Sequence, residues 1–109
     1  MNDDRPFLLL RARVKEEERD RFAKWFRAVH LHDVERIPGI VAVQSGRLAG
    51  GTHIGFYSFE SSDTVQGALA SPEAAYARGT WERWAPHMEE LAIEIWAALG
   101  PLGLYHGES

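Results

Sequence analysis

The sequence predicts an α+β fold in which an antiparallel sheet carries helices on one face, with elements in the order β-α-β-β-α-β. Three observations point to it. Short segments at 6–15, 40–48 and 52–60 read as strands, the first and third by a period of two. A longer segment between the first two repeats its apolar residues at steps of three and four, and Gly or Pro punctuates the junctions. The chain has 109 residues, 45% hydrophobic and 26% charged, so a single domain spanning 1–109 is expected, with its core at about 6–99 and a tail at 100–109.

From Pro6 to Lys15 the order PFLLLRARVK sets Phe7, Leu9, Arg11 and Arg13 on one face and Leu8, Leu10, Ala12 and Val14 on the other, as in a strand. EEERDR at 16–21 then supplies acids that suit the positive end of a helix dipole. Phe22, Phe26, Val29, His30, Val34 and Ile37 form one helical stripe, and Pro38-Gly39 ends it. IVAVQSGRL at 40–48 is β-branched at its start and reads as the second strand. Ala49 to Thr52 is a tight connection, and THIGFYSFE at 52–60 opposes Ile54 and Phe56 to His53, Tyr57 and Phe59, which makes the pair a hairpin. Ser61 to Asp63 offers a cap for a helix over Thr64 to Ala70. Ser71-Pro72-Glu73 opens a second helical stretch, which Gly79 interrupts. MEELAIEIWAAL at 88–99 alternates but also has helix propensity; as a strand it completes a ferredoxin-like unit.

Composition narrows the function classes. The absence of Cys removes disulfides, thiolate catalysis and Cys-ligated metals, and fits a reducing compartment. The acidic start MNDDRP is unlike a secretory signal, and no run approaches the ~20 apolar residues of a membrane span, so a cytoplasmic protein with no membrane partner is expected. A net charge of -4 argues against nucleic acid, whose phosphates call for clustered Lys and Arg. Twelve aromatic residues in so short a chain favour association with a second copy, because small domains bury a smaller share of their surface.

Trp25, His30, Pro38 and Gly39 in WFRAVHLHDVERIPG, followed by Arg47, GFYSFES at 55–61, SPEAAY at 71–76 and PHM at 86–88, resemble the dimeric α+β barrel superfamily, and within it the EthD-like proteins named for ethyl tert-butyl ether degradation. The likeness spans about residues 6–99. It implies a ferredoxin-like protomer whose sheet packs against that of a second copy with the helices outside, a homodimer, and a last element that is a strand. It would also explain apolar residues on both sheet faces. Many members carry Glu before the helix His and Pro two residues after it, where this chain has Val29 and His32.

His30, on the apolar stripe, is the first candidate for chemistry, since an imidazole with an ordinary pKa near 6.5 serves as acid, base or fixed donor. The competing reading is a buried His satisfied by hydrogen bonds. His87 belongs to the matched PHM and could share the cleft; Tyr57 could donate to a ligand carbonyl. His32, His53, Phe59, Trp25, Tyr76 and Trp84 are candidate lining residues, Trp81 a further wall, although aromatic residues at helical spacing are usually core. Arg47 would pair with a ligand anion or, more readily, with Asp33 or a Glu. His30 and His32, two apart, fall on different sides of a helix, and no metal-ligand spacing is present, so no metal is expected. Nucleotide and Ser-hydrolase motifs are missing. Haem occurs in the resembled superfamily, but nothing in the sequence selects it, and no cofactor is expected.

Three functions follow as expectations. One is a small-molecule enzyme, a cofactor-free isomerase, cyclase or oxygenase acting on an aromatic or polyketide-like compound. Another is a non-catalytic carrier of a small apolar molecule. The last is a dimerisation module with a filled core.

Overall fold

Alternation decides the sheet. The structure, a computed structural model, describes residues 5–97. Four strands, β1 (Phe7–Val14), β2 (Ile40–Arg47), β3 (His53–Phe59) and β4 (Met88–Trp96), pair antiparallel in the order β2-β3-β1-β4. This is the ferredoxin-like order, and the ambiguous last segment is a strand. Residues 98–99, expected to continue it, and the tail at 100–109 lie outside the described residues.

Register fixes the two faces. Leu8 pairs with Tyr57 on one side and Ile95 on the other, and Leu10 pairs with Gly55 and Ile93. One face therefore carries Leu8, Leu10, Ala12, Tyr57, Phe59 and Ile93. The opposite face carries Phe7, Leu9, Ile54, Phe56 and Trp96, with Phe7 stacked between Phe56 and Trp96 at ring-centroid distances of 4.4 and 5.7 Å. The helices cover the first face, and the complete burial of Leu10, Ala12 and Val14 follows.

The expected first helix is a rod with a wider turn inside it. After a 3₁₀ turn at Glu16–Glu18 come α1 (Arg19–Trp25), a π-turn at Phe26–His30 and α2 (Leu31–Glu35). A π-turn spends more residues per revolution, so it rotates the chain less at each step. His30 thereby comes to the centre of the core-facing stripe with Phe22, Phe26 and Val34, while Val29, expected on that stripe, is displaced and 37% exposed. Backbone N–H groups of Arg36 and Ile37 close the rod onto Asp33 and Val34. Gly39, at φ +97°, then reverses the chain into β2, a conformation that a side chain would strain.

α3 (Ser62–Leu69) starts where Ser61 donates its backbone N–H to Thr64 Oγ1 at 3.2 Å. α4 (Pro72–Gly79) is capped by Ser71, whose hydroxyl accepts from the Ala74 N–H at 3.1 Å, with Pro in the first turn as expected. Gly79 ends α4, and a 3₁₀ stretch at Thr80–His87 carries Trp81 and Trp84 back toward the sheet. The main core gathers Leu10, Phe22, Trp25, Phe26, Tyr57 and Trp84; a second cluster joins Ile37 and Phe59 to three alanines of α3 and α4. Among the described residues no helix is long and apolar enough to cross a membrane.

Candidate functional site

A cavity of about 450 Å³ opens between sheet and helices, within the usual size range of small-molecule sites. Its floor is Leu8, Leu10, Tyr57 and Phe59, its roof comes from the π-turn, α2 and α4, and one wall is the row Leu91, Ile93 and Ile95 of β4. The helices stop short of β4, so this row is exposed, Ile93 by 56%. The expectation of a filled core without a cleft is not met.

Within this apolar enclosure the polar groups converge. The π-turn places His30 over β3, and Trp81 descends from the 3₁₀ stretch beside it. His30 Nε2 lies 2.7 Å from Tyr57 Oη, and Trp81 Nε1 donates to His30 Nδ1 at 3.2 Å. An indole N–H can only donate. His30 Nδ1 therefore accepts and carries no proton. Were Nε2 also to accept, the ring would be an imidazolate, so Nε2–H donates to Tyr57 Oη. The Tyr57 O–H, with no other partner among the described residues, is left to donate to whatever occupies the cavity it lines.

Burial reinforces this arrangement. It lowers the His30 pKa to about 4, so the ring is neutral at pH 7. Burial also pushes the Tyr57 hydroxyl well above its usual range, which keeps its proton on. Trp25 stacks on the imidazole at 5.7 Å, with Trp81 edge-on at 4.9 Å, holding the ring plane. Both ring nitrogens being engaged, neither is presented to a haem iron. Among the described residues no group of three His, Cys, Asp or Glu could hold a metal ion.

Of the residues singled out from sequence, His30, Tyr57 and Phe59 line this cavity. Trp25 and Trp84 are buried in the core beside it. His87 is elsewhere, its Nδ1 3.9 Å from a Glu18 carboxylate oxygen. His32 points outward and pairs with Glu35 at 3.6 Å. His53 is buried among Phe22 and Phe26, its pKa lowered by desolvation and then by the charge of Arg47. Arg47 is exposed at the end of β2, and the ion pair expected with Asp33 or a Glu does not form among the described residues. Tyr76 is 63% exposed and borders a separate shallow depression with Asp33, Arg36 and Glu73.

Sequence reasoning missed two contributors, Arg78 and Gly55, and the role of a third. Trp81 was a wall and proves to be a hydrogen-bond donor. Arg78 lies at the rim, and Gly55 makes room for Tyr57. A Cβ on Gly55 would fall against the Tyr57 hydroxyl, so the tyrosine can lean over β3 toward His30 only because position 55 has no side chain. A glycine inside a strand is itself the signal of such a close approach.

No protein-family model matches the sequence, and no curated protein matches it in sequence. In three dimensions the chain is similar to SnoaB, a cofactor-independent oxygenase from Streptomyces nogalater, at 18% identity over 92% of this chain and 98% of that one, with a TM-score of 0.67. It is similar to the ActVA-Orf6 monooxygenase of Streptomyces coelicolor, which was solved with nanaomycin D, at 12% identity over 89% of each chain and a TM-score of 0.67. It is also similar to an ethyl tert-butyl ether degradation (EthD) family protein from Bacillus halodurans, at 14% identity over 82% of this chain and 96% of that one, TM-score 0.65. At such identities the likeness is one of fold, and it is the fold that the sequence resemblance implied.

Two predictions follow from the geometry. The unfolded chain protonates His30 at its ordinary pKa near 6.5, and the folded one only near 4, so between those values the unfolded state binds more protons and stability falls as pH drops. Urea unfolding at pH 7.5 and pH 4 should show an acid loss smaller by about 3 kcal/mol in His30→Gln than in the native protein; equal losses would place the buried proton elsewhere. Gly55→Ala should destabilise by about 1–3 kcal/mol in the same assay, as overpacking does, and a variant of native stability would mean that Tyr57 does not lean over position 55.

Proposed function

We propose, from a fold shared with oxygenases and a cavity with one polar focus, that this protein binds a flat, oxygenated polycyclic aromatic compound and oxygenates it with O₂, using no bound cofactor. The observation that carries the reading is the free Tyr57 O–H at the floor of an otherwise apolar enclosure. Its direction is set by the donors behind it, Trp81 to His30 and His30 to Tyr57. Such a donor suits a ring carbonyl, and more so the oxyanion formed when the carbon related to that carbonyl loses a proton to solvent. The resulting enolate can pass electrons to O₂ at that carbon. A CH₂ and O₂ then become C=O and water by way of a hydroperoxide. Tyr57 is the catalytic residue in this scheme; His30 and Trp81 position it. The nanaomycin D held by one structural neighbour supports an oxygenated ring system as ligand class.

One observation favours a carrier instead. His30 is neutral with both nitrogens engaged, and the Tyr57 proton is held tightly, so neither stands ready to accept a proton at neutral pH. A carrier needs only the apolar walls and one donor.

The reading also has the chain acting as a cytoplasmic homodimer. The sheet face turned away from the helices supports this, with Phe7, Leu9, Ile54, Phe56 and Trp96 beside Arg11 and Glu94, while Arg13 already pairs with Glu89 and Glu90 of its own chain. The cysteine-free composition fits a reducing compartment.

Oxygen uptake with anthrone as substrate tests the enzyme. Tyr57→Phe should lower kcat/KM by about 10²–10³-fold, the usual loss for one oxyanion donor. Native protein that binds anthraquinone without accelerating anthrone oxidation is the carrier. Light scattering at micromolar concentration should give twice the chain mass, and a monomer would remove the dimer from the proposal.

A further inference from the structure

Among the described residues the cavity has one permanent charge. Arg78 of α4 lines it with Ala74 and Ala77 of the same helix and with Trp81 of the 3₁₀ stretch that follows. Trp81 belongs to the polar focus around His30. Arg78 comes a turn earlier, and its Nη1 donates to the carbonyl of Leu69, the last residue of α3, at 3.1 Å. That bond anchors the guanidinium at the rim and leaves its other N–H groups to a partner. No carboxylate among the described residues lies within ion-pair distance of it. Ala74 and Ala77, small and buried, leave room for a flat body between this rim and Tyr57.

We infer that Arg78 is the anion subsite of this cavity and that the ligand is a polycyclic compound bearing a carboxylate at the end away from the oxygen held by Tyr57. The inference rests on reading the cavity as a site for oxygenated polycyclic compounds. A guanidinium matches a carboxylate with paired N–H donors, and a single cation balances a single negative charge, whereas a phosphate dianion calls for more than the lining offers. The Leu69 bond alone would give Arg78 a capping role at the end of α3. That role does not distinguish between ligands, and the subsite does.

The test is a binding titration by tryptophan fluorescence with two probes of nearly equal shape, anthraquinone-2-carboxylate and anthraquinone-2-carboxamide. The acid should bind the native protein about 2- to 5-fold more tightly than the amide, the worth of an ion pair at an exposed rim. Arg78→Gln should bind both at the amide's level, and Arg78→Lys should keep part of the preference. Equal affinities in the native protein would overturn the subsite, as would an Arg78→Gln variant that loses both probes by the same factor. Tyr57→Phe, expected to weaken both probes alike, separates the two claims. If it does so while the acid has no advantage, the cavity reading survives and the subsite does not. If neither probe binds the native protein, both fall.

Discussion

An indole N–H has no lone pair to offer, and this constraint orients every hydrogen bond beneath the cavity. Because Trp81 donates to His30 Nδ1, the imidazole must carry its proton on Nε2, and because Nε2 donates to Tyr57, the phenol proton turns to the ligand side. A histidine free in solution would exchange tautomers; here the neighbour chooses one. Burial then removes the remaining freedom by making the charged forms of both His30 and Tyr57 costly. The result is a neutral donor of fixed direction among apolar walls, where such a dipole acts more strongly than in solvent.

The rest of the fold can be understood as what holds three distant residues in that chain. Trp81 and His30 are separated by 51 positions, and Tyr57 sits between them in sequence on a different layer. The π-turn rotates His30 onto the sheet, Gly55 clears the path for Tyr57, and the stop at Gly79 lets the chain change from α4 to a 3₁₀ stretch that brings Trp81 over the same spot. Each device breaks a local regularity. A continuous α-helix would have left Val29 on the stripe and His30 toward its edge, and any side chain at 55 would have displaced the tyrosine.

Regularity is also what sequence can reveal, which explains the division between what was legible and what was not. The alternation in Phe7–Val14 and His53–Phe59 disclosed two strands, the correct face for Tyr57 and Phe59, and with the remaining elements the ferredoxin-like order. The stripe of α1 and α2 marked His30. The exceptions were hidden for the same reason. A π-turn leaves no mark on the steps of three and four that join Phe22, Phe26, Val29, His30 and Val34, so Val29 looked equivalent to its neighbours. Trp81 resembled any core aromatic, since its donor role depends on a contact made only in three dimensions. His87, His32 and Tyr76 carried suitable chemistry at plausible positions, yet their side chains face Glu18, Glu35 and solvent, respectively.

The same neutrality that orients Tyr57 limits what it can do. A phenol whose ionisation is penalised makes a poor base but a persistent donor, and a histidine already committed at both nitrogens cannot relay a proton without first breaking one of those bonds. Any reaction in the cavity must therefore draw its acidity from the ligand, with the protein lowering the energy of the anion once formed. In the proposed reaction this favours compounds whose own rings spread the charge, and it makes the apolar walls part of the chemistry, since they would hold water away from an oxyanion at Tyr57. The open row of β4, Leu91, Ile93 and Ile95, is consequently the side on which that exclusion is weakest. It is also the side from which a proton acceptor and O₂ can enter, so the exposure that looks like an unfinished wall is compatible with the one supply route that the buried trio leaves to solvent.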